Sequence, residues 1–163
     1  MKKTREEMTK SILNALKAND CPYEIENTTE SNIIRVNVRL DCFVAYGKLV
    51  IIVDDYFPKS IFHIFNNARK RIPEVSEFLM RANNIDDIGC FSLDCDEGDI
   101  SYEFSYPNVY KQDEDLAILW LLPMKRFEDY GDGLLKVMLG CSTPKEAFEE
   151  CIRKISEQDT DNF

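Results

Sequence analysis

This chain has one histidine, one tryptophan and no long apolar run, and it is short of basic charge, with 20 lysines and arginines against 30 aspartates and glutamates. The lone histidine, His63, leaves little for nucleophilic catalysis, because a serine or cysteine needs an adjacent base to become reactive at neutral pH. His63 also falls within an apolar strand pattern with no recognisable nucleophile, so a satisfied, half-buried strand residue is expected there. No two of the six cysteines, Cys21, Cys42, Cys90, Cys95, Cys141 and Cys151, have the two-residue spacing of a zinc knuckle, and His63 is remote from the closest pair. Structural zinc is therefore not expected; the thiols are expected to be reduced and to pack as small apolar groups. The longest nearly unbroken apolar run, Leu116 to Met124 with Pro123 inside it, is nine residues, about half of what a membrane span requires.

The charge deficit excludes more. A net charge of −10 repels polyphosphate and anionic lipid, so neither nucleic acid nor membrane is expected as a partner, and basic protein segments are favoured. The aromatic residues are interleaved with acids and offer no stacking platform for single strands. Gly131 and Gly133 with Lys136 have too few glycines around them, and the wrong preceding segment, for a phosphate loop. No cofactor is expected. Met1 to Lys10 is charged and lacks the apolar core of a secretory signal, which points to a cytoplasmic location.

What is present reads as one domain spanning residues 1–163, with 1–3 and 157–163 frayed. A chain of this length buries roughly 70% of its unfolded surface and needs no disulfide or metal for stability. Thr4 and Glu7 form a capping box ahead of a stripe of Met8, Ile12, Ala15 and Leu16, which predicts a first helix to about Asp20. Tyr23 to Glu26 is a short strand candidate, and Ile34, Val36, Val38 and Leu40 alternate with polar residues as in a strand with one wet face. Leu49 to Val53, five consecutive apolar β-formers after a Tyr46–Gly47 turn, predicts a central strand covered on both sides; Ile61 to Phe65 reads as a following strand or, alternatively, a helical segment. After Asn66 or Asn67 and Pro73, Val75, Phe78, Leu79 and Ala82 make a helical stripe ending at Asn83 and Asn84, where asparagine tolerates the left-handed conformation.

A strongly alternating hairpin comes next. Phe91 and Leu93 share one face with Gly89, then Ile100, Tyr102, Phe104 and Tyr106 alternate with Ser101, Glu103 and Ser105. Gly98 occupies a turn position wanting positive φ, and Asp96 is placed to bond the turn amides. Asp113, Glu114 and Asp115 begin a further helix carrying Trp120, which Pro123 should kink and Asp129 to Gly133 should break, leaving Leu134 to Leu139 of uncertain type before Gly140. That helix is apolar nearly all round, so it needs cover from the sheet or from a second subunit. Thr143, Pro144 and Glu146 cap a last helix bearing Ala147, Phe148, Cys151, Ile152 and Ile155.

The acids do not form a recognisable site. Around Gly98, Asp94, Asp96, Glu97 and Asp99 suggest a calcium loop, but the fifth position would be Gly98, the sixth Asp99 and the twelfth Ser105, which is not the EF-hand order. The pairs Asp54–Asp55 and Asp86–Asp87 read as solvated loop or strand ends.

In their order and spacing, Leu79, Arg81, Ala82, Asn83, Gly89, Phe91, Leu93, Asp94, Gly98, Ile100, Tyr102, Tyr130, Gly131, Asp132, Gly140, Thr143, Pro144, Glu146 and Ala147 resemble the YbjN family of bacterial sensory transduction regulators. The resemblance is clearest from about Lys70 to Cys151. It implies an α+β domain similar to type III secretion chaperones: a helix, a three-stranded antiparallel meander, a helix, a β-hairpin and terminal helices packed on the sheet, commonly dimeric. It implies no catalytic residues, and makes Arg81, Asn83, Gly89 and Gly98 scaffold positions. The chain departs from it at Asn84–Asp87 and around Gly89, which affects loop contacts. The resulting expectation is a non-enzymatic, homodimeric protein-binding or regulatory domain in bacterial stress or sensory regulation. Its rivals are a secretion-chaperone-like carrier for an extended client and an enzyme with an unrecognised carboxylate site around Asp54, Asp55 or His63.

Overall fold

A computed structural model of the chain describes residues 3–106 and 116–160. Helix α1 (Arg5–Ala18) is started by the capping box: Glu7 N donates to Thr4 Oγ1 at 3.2 Å and Thr4 N to Glu7 Oε2 at 2.8 Å, and Met8, Ile12 and Leu16 are buried one helical turn apart. Four strands follow as a meander, β1 (Tyr23–Asn27), β2 (Asn32–Arg39), β3 (Tyr46–Val53) and β4 (Lys59–Ile64). The meander thus has four strands where the family resemblance implied three. Helix α2 (Ile72–Asn83) leads to the hairpin β5 (Cys90–Leu93) and β6 (Ile100–Ser105), then α3 (Ile118–Met138) and α4 (Pro144–Thr160) complete an α+β fold. The antiparallel sheet runs β1-β2-β3-β4-β6-β5.

Alternation decides which face is covered. Ile34, Val36, Leu49, Ile51, Val53, Phe62, Ile64, Phe91, Ile100, Tyr102 and Phe104 point to the same side and are buried. There they meet the helices: the Phe127 ring of α3 lies 5.1 Å from Phe62 and 5.3 Å from Phe91, centroid to centroid. The expectation that Leu49–Val53 is covered on both sides is corrected. Val50 and Ile52 are half-buried on the opposite face, against which no described helix or strand packs, because the helices share one side of the sheet. Tyr46 and Gly47 belong to β3, and the turn lies before them, where Ala45 has φ 61°. His63 is exposed on the open face, paired with Lys48 and Ser101, instead of half-buried.

The junction of α2 with the hairpin is held by a side chain. Asn83 Nδ2 donates to Phe91 O at 2.9 Å and Phe91 N donates to Asn83 Oδ1 at 2.7 Å, so the amide pairs with β5 as a neighbouring strand would. Asn84 then leaves the helix in the right-handed region, φ −67°, correcting the left-handed exit expected there. Asn83→Ala strands two backbone groups and should cost about 1.5 kcal/mol in urea unfolding, whereas Arg81, half-buried and ion-paired among the described residues only with Glu77 at 2.7 Å, should lose under about 0.5 kcal/mol on the same change. In the hairpin turn Gly98 has φ +77°, as its position demands. The turn acid is Asp94, not Asp96: Asp94 Oδ1 accepts from Asp96 N and Glu97 N, both at 2.9 Å.

One expected break, at Asp129–Gly133, is absent. Helix α3 continues through Pro123 and through Asp129–Gly133 to Met138, because Gly131 and Gly133 serve close approach and not a turn. A Cβ at Gly131 would lie 2.8 Å from Cys42 Sγ, and one at Gly133 would lie 2.5 Å from Cys151 Sγ. The start expected at Asp113–Asp115 lies outside the described residues. Within α3, Leu116 just before it and Leu119 are buried, Trp120 packs partly against the core, and Leu121 is exposed. Helix α4 carries the expected Thr143–Glu146 capping pair and extends to Thr160, so 157–160 are helical. All six cysteines are free; Cys151 is buried and Cys21 and Cys42 half-buried, but Cys90, Cys95 and Cys141 are exposed, so the packing role holds for three.

Candidate functional site

Two polar constellations stand out, and they differ in what they leave available. The first centres on Asp86, which was expected to be a solvated loop acid and is instead buried. Its Oδ2 accepts from Tyr102 Oη at 2.6 Å and Arg126 Nε at 2.8 Å, and its Oδ1 from Arg126 Nη2 at 3.3 Å and Ile88 N at 3.2 Å. Gly89 makes room, since a Cβ there would sit 2.5 Å from the Tyr102 hydroxyl. Burial opposes ionisation of Asp86, but the tyrosine hydroxyl, the Ile88 amide and the guanidinium outweigh it and hold the carboxyl below its ordinary range. Burial and the adjacent carboxylate push the Tyr102 phenol far up, and burial brings Tyr130 to about 12. Four donors already occupy the two Asp86 oxygens. The cluster ties the α2–β5 connection, β6 and α3 together and presents no free acceptor.

The second constellation is open. The loop joining β2 to β3, residues 40–45, is closed by Leu40 N to Ala45 O at 2.7 Å and clamped to α3 by Phe43 N to Asp132 Oδ1 at 2.8 Å and Cys42 Sγ to Phe127 O at 3.4 Å. Held this way, Phe43 is 69% exposed and Tyr46, at the start of β3, 56%. Two adjoining concavities of about 360 and 460 Å³ flank the loop and share Asp41 and Asp132. The first runs between α3 and α4 past Glu128, Asp129 and Lys154; the second passes under Phe43 and Tyr46. Asp129 is occupied by Lys125 at 2.6 Å and Asp132 meets Lys154 at 3.7 Å. Asp41 and Glu128 have no ion pair among the described residues.

Neither constellation contains His63, Asp54 or Asp55. Asp54 Oδ1 accepts from Tyr56 N at 2.7 Å and Phe57 N at 2.6 Å, which makes it the cap of the β3–β4 turn. Burial raises the Cys42 thiol and brings Cys151 to about 11, so neither is a thiolate at neutral pH. Among the described residues no group of three or more His, Cys, Asp or Glu is placed to hold a metal ion, and no helix is long and apolar enough to cross a membrane. The chain matches no protein-family model, and no curated protein is significantly similar to it in sequence.

Proposed function

We propose that the chain is a non-enzymatic protein-binding domain of the YbjN type, working as a homodimer, which takes a basic segment of a partner at the β2–β3 loop and the acid-lined cleft beside it. The observation that carries this reading is the large exposed Phe43 ring, tied to α3 through its backbone amide, in a concavity with Asp41, which like Glu128 of the adjoining concavity has no ion pair among the described residues. An exposed aromatic anchor bordered by unpaired charge is the composition of a binding surface, with the ring supplying affinity and the acids selecting the sign of the partner. The net charge of −10 adds long-range attraction for the same class of segment. A regulatory role of the kind the family resemblance implies would act through such binding.

The test is titration of fluorescent peptides containing lysine or arginine next to an aliphatic or aromatic residue. Binding should weaken as salt is raised, and Phe43→Ala or Asp41→Lys should each reduce affinity about tenfold, near 1.4 kcal/mol, without altering the thermal midpoint. Equal binding of acidic and basic peptides of the same length, or a Phe43→Ala protein that binds like the parent, would defeat the assignment.

A further inference from the structure

The central strands of the sheet carry apolar residues on both faces, and the helices cover only one. On the open face Ile33 and Ile52 are cross-strand partners, as are Val50 and Ile61, so four β-branched aliphatics form one patch across β2, β3 and β4. A solvated face of an antiparallel sheet is normally polar, and these four residues, half-buried in the single chain, are the half of the two-sided pattern against which no described helix or strand packs.

The inner four residues of the row through the middle of that face are self-complementary. In strand order the row reads Glu24, Arg35, Val50, Ile61, Glu103, Cys90. A two-fold axis lying between β3 and β4, along the strands, lays Val50 of one copy on Ile61 of the other and Arg35 on Glu103, each contact made twice. Of the flanking rows, one sets Asn37 on Ser101 and Lys48 on His63, both polar, and the other sets Ile52 on the stem of Lys59 and Ile33 on Ser105. Arg35 and Glu103 lie about 7 Å from such an axis, so the ~30° crossing of aligned sheets shifts one past the other by only ~4 Å, within a guanidinium's reach. Glu103 is exposed with no ion pair among the described residues, and Arg35 binds Glu26 of its own chain at 2.8 Å through one nitrogen, leaving further donors. The charges suit a second copy. Arg35, Arg39, Lys48 and Lys59 outnumber Glu24, Glu26 and Glu103 on this face by only one, whereas the chain as a whole is at −10 and would repel itself elsewhere.

We infer that the open face of the sheet docks a second copy of this chain, forming a two-fold, face-to-face β-sandwich closed by reciprocal Arg35–Glu103 pairs around Val50 and Ile61. This rests on the homodimeric reading above and names its surface.

Sedimentation or light scattering at tens of micromolar, with circular dichroism to check folding, tests it. The protein should have twice its 19.0 kDa chain mass. Arg35→Glu and Glu103→Arg should each be folded monomers, the combined Arg35→Glu/Glu103→Arg protein should be a dimer again, and Ile61→Lys should be monomeric. A monomeric parent protein, single reversals that stay dimeric, or a combined variant that does not recover overturns the inference. Phe43-dependent peptide binding is scored on the same proteins. If it persists where the dimer is absent or uses another surface, the binding-domain reading stands while this interface falls.

Discussion

Asp86→Ala is expected to lower the unfolding free energy by about 2–3 kcal/mol in urea at neutral pH, because it leaves a half-buried Arg126 without its principal counter-charge. Among the described residues the guanidinium keeps the Asp129 oxygen at 3.7 Å and the neighbouring Tyr102 side chain, and the Tyr102 hydroxyl, inside the core, loses its carboxylate acceptor. Removing both partners should be cheaper than the sum: an Asp86→Ala/Arg126→Met protein replaces the pair by apolar volume and leaves no orphan charge. A double variant as unstable as the sum of the two singles would show that the cluster does not act as a unit. The cluster also sets the pH response. Asp86 titrates below its ordinary range in the folded chain, so its contribution is complete above the ordinary aspartate range and is lost as pH falls through the folded value. Tyr102 titrates above its ordinary range, so its contribution is complete below about pH 10 and is lost as pH rises beyond it. The parent protein should therefore lose stability at both extremes, and Asp86→Ala should flatten the acid limb.

None of this was legible from Asp86 itself. Its partners Tyr102 and Arg126 lie 16 and 40 residues further along, and an adjacent acid pair in a turn-like segment reads as solvated whatever lies across the fold. What the sequence shows well is what is encoded within a few residues: the Thr4–Glu7 and Thr143–Glu146 caps, the stripes of α1 and α2, the alternation of β6 and the positive φ of Gly98. The two-sided apolar pattern of β3 was also legible, but not which face the helices would take, since that follows from where α1, α2 and α3 pack. The candidate binding surface was the least visible part. Phe43 reads as core in any local window, and it is exposed because Asp132, 89 residues away, fixes the loop that carries it. The charge of the partner was accessible from composition; the location of the surface was not.

The same distinction between local and tertiary meaning decides the fate of Gly133. By helix propensity alone, alanine in place of a mid-helix glycine should gain about 1 kcal/mol. The packing of α3 on α4 reverses the sign. A Cβ at position 133 would lie 2.5 Å from Cys151 Sγ, 3.0 Å from Ala147 O and 3.1 Å from Phe78 Cε2, and two of those neighbours are a backbone carbonyl and an aromatic ring that cannot swing aside. Overpacking of this kind typically costs 1–3 kcal/mol, so Gly133→Ala should be destabilising by about 2 kcal/mol and Gly133→Val, with two more methyl groups, by about 3 kcal/mol or more. Part of the cost belongs to the thiol. In a Cys151→Ala background the sulfur is gone and Gly133→Ala should be less damaging by about 1 kcal/mol, a coupling that thermal or urea unfolding of the four proteins resolves. If Gly133→Ala instead stabilises the chain, the glycine is a local helix defect, and the close approach of α3 to α4 at Cys151 is not what the residue is for.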